Sequence, residues 1–160
     1  MSDLRDLAGR MGFENPRTLL QSGNLVFSGK SQKTDNLENV LEKESKKRFS
    51  HEIRFVVRTA AEWESLISRN PFPGKAKTDP GHFVVMCFKE APGQNDVKTL
   101  RKAITGPEVI RTEGREGYIL YPAGIGTSRL TLALIESKLG TTGTARNWNT
   151  VMKIAALAGR

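Results

Sequence analysis

"HFVVMCFK", His82 to Lys89, is the stretch that decides the fold. Its apolar core, Phe83 to Phe88, is too short for a typical helix and shows no polar alternation. It therefore reads as a strand buried on both faces. Downstream, "QNDVKTLRKAI" places Val97, Leu100 and Ile104 at i, i+3 and i+7, the spacing of one helix face. "PEVIRTEGREGYILYP" predicts a hairpin whose turn carries Gly114 and Gly117. "SRLTLALIESKLG" predicts a helix capped by Ser128 and ended by Gly140. "TTGTARN" predicts a short last strand, and "NTVMKIAALAG" a closing helix that is apolar on nearly all sides. The order is βαββαβ plus one helix, the ferredoxin-like arrangement.

Upstream, "PFPGKAKTDPG" is rich in Pro, Gly and Lys and reads as a loop and domain boundary. Before it, "AAEWESLISRNPF" is a connecting helix stopped at Asn70-Pro71. "HEIRFVVRT", residues 51–59, predicts a strand. "TDNLENVLEKESKKRF" predicts a helix capped by Asp35 or Asn36. Lys46, Lys47 and Arg48 fall in its last turn, where cations complement the helix dipole. "RTLLQSGNLVFSG" predicts a hairpin turning at Ser22, Gly23 and Asn24. Leu4, Leu7, Ala8 and Met11 give the opening helix, with Ser2 or Asp3 as its cap and Gly12 as its end. The order is α-β-β-α-β, and one preceding strand would complete a second βαββαβ unit.

The expected fold is thus α+β: two ferredoxin-like subdomains, the first missing its first strand, plus a C-terminal helix. The expected boundaries are 1–59 for the truncated first subdomain, 60–80 for the connecting helix and loop, and 81–160 for the second subdomain with its closing helix. The repeat is one of architecture, not of sequence.

An apolar share of 38% and a mean hydropathy of −0.41 fit a soluble protein. No apolar run approaches the ~20 residues that span a bilayer, and "MSDLRDLAGR" lacks the apolar segment of a signal peptide. The single cysteine, Cys87, excludes an internal disulfide. A reducing, cytoplasmic location is the expectation, with no membrane partner. The net charge is +8, and the segment 127–160 carries five basic residues against Glu136 alone. A basic face attracts polyanions, so nucleic acid is one candidate partner.

Metal binding is not expected, because His51, His82 and Cys87 show no ligand spacing. Both histidines read as surface or strand-start residues. Cys87 sits mid-strand, where a thiol behaves as a small hydrophobe. No G-x-S-x-G elbow and no paired carboxylates occur, so no catalytic residue is assigned, no cofactor is implied and an enzyme is not expected.

Two stretches carry candidate binding residues. In "PAGIGTSRL", Gly124 and Gly126 lead toward Ser128 and Arg129. Free N–H groups, glycines and an arginine make a possible anion seat; a plain strand-to-helix turn needs the same glycines. In "TARNWNTV", Asn147 or Asn149 caps the closing helix, Trp148 staples it to the sheet, and Arg146 pairs with a carboxylate or stacks on Trp148. The functional alternative uses Arg146 as anion donor, Trp148 as stacking platform and the asparagines as readers. With Ser22, Gly23 and Asn24 these form the candidate site: an anionic or nucleotide-like small molecule held between the two lobes. RRM signatures are absent, although base stacking on such sheets is familiar.

"LQSGNLVF", "RNPF", "YPAGIGTSRL" and "TARNWNTVMKIAALA" together resemble the DUF1697 family of bacterial proteins. The resemblance runs from about Met1 to Leu157. It implies two ferredoxin-like α+β subdomains and no particular reaction. It also implies a strand with an arginine and glycines ahead of the first helix, which this sequence lacks. The first lobe then closes up its strands, takes one from another chain, or rearranges. The second outcome implies a homodimer formed by strand exchange.

Overall fold

The computed structural model describes residues 2–19, 23–30 and 32–159. The fold is α+β, and the described residues form seven α-helices and two antiparallel sheets. The chain divides into two compact units, Met1–Trp63 with Lys153–Arg160, and Glu64–Met152.

In the first unit, α1 (Ser2–Arg10) buries Leu7 and Ala8. Gly12, at φ +86°, turns the chain out of it, as a left-handed position requires. β1 (Glu14–Leu19) and β2 (Asn24–Ser28) pair antiparallel, with Thr18 opposite Leu25 and Leu19 opposite Asn24. The expected hairpin is present. Gly23 sits at φ +83°, and the Asn24 side-chain amide donates to Leu19 O at 3.0 Å. Ser22 lies outside the described residues. The Phe13 and Phe27 rings meet at 4.4 Å between centroids.

α2 (Thr34–Phe49) is capped by neither Asp35 nor Asn36. Its cap position is Lys33, so the Asp35 carboxylate lies inside the first turn, where it accepts from Asn36 N–H and complements the dipole. At its other end, Lys46 pairs with Glu52, Lys47 pairs with Glu44, and Arg48 lies over the Phe49 ring.

The strand expected over 51–59 does not form a ladder. Its backbone is satisfied from a helix instead: Phe55 N–H donates to Glu42 Oε1 at 2.9 Å, and Val57 N–H to Glu38 Oε1 at 2.8 Å. The two donors are two residues apart and face one side. The two acceptors are four apart and share one face of α2. A buried Glu38 thereby does for this segment what a neighbouring strand would do. The sheet of the first unit is a two-stranded hairpin.

α3 (Ala60–Ser68) contains the division between the units. In the second unit, the stretch expected as a loop instead folds into α4 (Pro73–Thr78) and a 3-10 turn, Pro80–His82. Each begins with a proline, whose fixed φ and missing N–H suit the first helical position. β3 (Phe83–Phe88), buried at every position, is flanked on both sides in the four-stranded sheet. With β4 (Val109–Glu113), β5 (Glu116–Leu120) and β6 (Gly143–Asn147) the strand order is β4-β5-β3-β6, antiparallel throughout.

One face of this sheet carries Val84, Met86, Phe88, Ile110 and Ile119. It packs against Val97 and Leu100 of α5 (Gln94–Ala103) and Ile135 and Leu139 of α6 (Leu132–Leu139). Gly114, at φ +56°, makes the β4–β5 turn, whereas Gly117 lies inside β5 and not in the turn. A Cβ on Gly117 would stand 3.2 Å from the Phe88 ring, so close packing explains this glycine. α6 is capped by Thr131, which accepts from Leu134 N–H, and not by Ser128. Gly140, at φ +65°, ends it as expected. α7 (Trp148–Gly159) closes the chain.

Candidate functional site

Strand register gathers the loops at one end of the four-stranded sheet. Phe83 pairs with Leu120, and Val84 with Asn147. The start of β3 therefore lies between the ends of β5 and β6. Neighbouring strands are ~4.8 Å apart, so the segments leaving β5 and β6 stand about 10 Å from one another across β3. Three segments lie at this end: Asp79–His82, the glycine turn after β5, and Asn147–Asn149.

The glycine turn is built from named bonds. Tyr121 N–H donates to His82 O at 2.8 Å, and Gly124 N–H to Tyr121 O at 2.9 Å. Gly124 takes φ +91°, which a side chain would resist. Ser128 N–H donates to Ile125 O. Among the described residues, the N–H groups of Ile125, Gly126 and Thr127 donate to no protein atom, and all three residues are exposed. The Ser128 hydroxyl donates to Glu108 Oε1 at 2.6 Å and accepts from Leu130 N–H at 3.0 Å. Ser128 thus fixes the turn, while Arg129 beside it is exposed. Below, buried Tyr121 donates its hydroxyl to Leu130 O, and burial pushes its pKa up to about 12.

The arginine–tryptophan stretch divides between support and surface. Arg146 lies opposite Val85, which lies opposite Tyr118, which lies opposite Arg111. These four form one row across the sheet, on the face away from the α5–α6 core. Half-buried Arg146 donates from Nη1 to Thr144 Oγ1 and to Ala145 O, both at 2.7 Å. Burial pulls its pKa below the usual arginine value, and nearby Cys87 acts in the opposite direction. Asn147 Oδ1 accepts from Thr150 N–H at 3.0 Å and so caps α7. Trp148 is buried and stacks on Phe83, with centroids 4.9 Å apart and planes 3° from parallel. Asn149 is exposed.

A pair outside the expected site residues lies at this end of the sheet, Asp79 and His82. His82 Nδ1 lies 3.0 Å from Asp79 Oδ2. Its Nε2 lies 4.0 Å from where a Cβ on Gly124 would be, so the ring faces the glycine turn. The signal was present in "DPGH", an acid three residues before a histidine, but only the fold brings it to Gly124. A second unforeseen cluster is structural. Arg69 lies 3.5 Å from buried Glu116 and 3.6 Å from Glu113, and the Tyr118 hydroxyl donates to Leu66 O at 2.6 Å. Gly23 and Asn24 belong to the hairpin of the first unit and are accounted for there.

Among the described residues, no helix is long and apolar enough to cross a membrane. The model of a family described as protein of unknown function, DUF1697, matches residues 1–118. The glycine turn and the residues from Arg146 to Asn149 lie beyond that match. No curated protein matches the sequence. Among solved structures, the conserved bacterial protein SP0830 from Streptococcus pneumoniae is similar at a TM-score of 0.76 and 16% identity. The similarity covers 100% of this chain and 89% of that one, and at this identity it speaks for the fold alone.

Proposed function

The chain belongs to the DUF1697 family, and from that premise we propose that it is a non-enzymatic protein that binds a small anionic or nucleotide-like ligand. The carrying observation is the register that gathers the glycine turn, the Asp79–His82 pair and Asn147–Asn149 at one end of the four-stranded sheet. In this reading the anionic group meets the turn around Gly124, Gly126 and Arg129. Asn149 reads the rest of the ligand. Arg146, Asn147, Trp148 and Ser128 hold the frame through the bonds described above. The order β4-β5-β3-β6 supports a ferredoxin-like second subdomain. The single buried thiol, Cys87, fits a reducing compartment.

A thermal-shift series with nucleoside mono- and triphosphates, phosphate and sulfate tests this reading. A ligand that binds only the folded state at a hundred times its Kd adds about 2.7 kcal/mol of stability, a readable rise in Tm. No rise with any of these anions at millimolar concentration would sink it.

A second reading, a homodimer formed by strand exchange, is favoured by residues 52–59. They form no ladder and have N–H groups held by carboxylates that an incoming strand could displace. Light scattering decides it, because a monomer across the micromolar range leaves no exchanged strand.

A further inference from the structure

We propose that the turn Ile125–Thr127 together with the ring of His82 forms a seat for a phosphate group, either inorganic phosphate or a phosphomonoester. This rests on the small-anion reading and names the group and the residues that take it. Three consecutive backbone N–H groups, on Ile125, Gly126 and Thr127, donate to no protein atom among the described residues, and all three residues are exposed. Successive N–H groups in a tight turn form a concave donor set suited to an oxyanion. The turn is held from beneath, by Tyr121 N–H on His82 O and by Ser128 between Glu108 and Leu130. It is therefore shaped before any ligand arrives, which lowers the ordering cost of binding.

His82 supplies the side of the seat. Asp79 Oδ2 holds Nδ1 at 3.0 Å and so sets the ring, leaving Nε2 as the nitrogen toward the turn. Such an acid-oriented imidazole presents one nitrogen in a fixed direction. There Nε2 shares a proton with a phosphate oxygen, while the amides bond the others. Three amide donors beside an imidazole nitrogen suit a tetrahedral anion, with its several oxygens, better than a planar carboxylate. The absence of a side chain at Gly124 keeps the space between ring and turn open, and its φ of +91° shapes the bend. Arg129, next along the turn, adds positive charge.

The test is an amide- and imidazole-resolved NMR titration of the full chain with inorganic phosphate, adenosine monophosphate and acetate at matched ionic strength. The expected result is saturable shifts at Ile125, Gly126, Thr127 and His82 Nε2 with both phosphates and not with acetate. His82→Ala weakens phosphate binding at least about tenfold, as loss of a hydrogen bond to a charged group does. His82→Gln, which keeps a polar terminus, loses less. Gly124→Ala fills the gap and also weakens binding, and unchanged shifts elsewhere in its spectrum verify the fold. Saturable shifts confined to Arg146–Asn149, with His82→Ala unchanged, would overturn the seat and leave the small-anion reading standing. No saturable shift anywhere would overturn both.

Discussion

At the residue scale, the two tyrosines bear the clearest electrostatic mark of the fold. Tyr118 and Tyr121 are the only tyrosines of the chain, and both phenols are pushed up to about 12. Burial is the main cause for each. Arg69 works the other way on Tyr118, and Glu108 adds to the rise on Tyr121. A raised folded pKa means the contribution to stability is whole below the ordinary phenol value of about 10 and is lost as pH climbs toward 12. Ultraviolet titration of the native protein should therefore show no tyrosinate at pH 10, and unfolding should begin above it. Half of the tyrosine signal titrating near pH 10 with the fold intact would contradict this. Tyr118→Phe should cost about 1 kcal/mol in urea denaturation, because Leu66 O loses a buried donor. Trp148 and Asn147 were legible as anchor and cap because a large apolar ring and a side-chain carbonyl have few other uses before a helix. Their partners, Phe83 and Thr150 N–H, needed register and helix phase. Arg146 was the least legible, since two of its bonds return to Thr144 and Ala145 of its own strand.

At the scale of elements, strand composition predicted the ladder wherever a partner strand is present and failed where none is. "HEIRFVVRT" has the β-branched and aromatic content of a strand. The N–H groups of Phe55 and Val57 nevertheless end on Glu42 and Glu38, since a strand is defined by pairing and pairing is a property of the neighbour. Hydrogen exchange should show Phe55 and Val57 protected. Glu42→Ala should release Phe55, and Glu38→Ala should release Val57, each by about tenfold or more. Equal exchange of both amides in the parent and the variants would show the carboxylates play no such part. Helix starts shifted for the same kind of reason. Ser128 had the chemistry of a cap, but Glu108, twenty residues away in sequence, engages its hydroxyl, and Thr131 caps the helix instead.

For the whole molecule, the charge of +8 sets how it meets polyanions. Under the small-anion reading, single-stranded and duplex oligonucleotides are held weakly and alike, and the attraction falls steeply as salt screens it. A complex that survives raised salt or prefers one sequence would favour the nucleic-acid module. Read off the chain alone, the α+β class, the hairpins and the buried β3 are already present. Hydrophobic period, glycine position and turn chemistry are local, and local spacing is what a sequence displays. Tertiary structure alone decided which turns share one end of a sheet, that His82 faces Gly124, and that a helix satisfies residues 55 and 57. Those facts depend on register and on which neighbour reaches a polar group first. Both are fixed by packing between segments far apart in the chain.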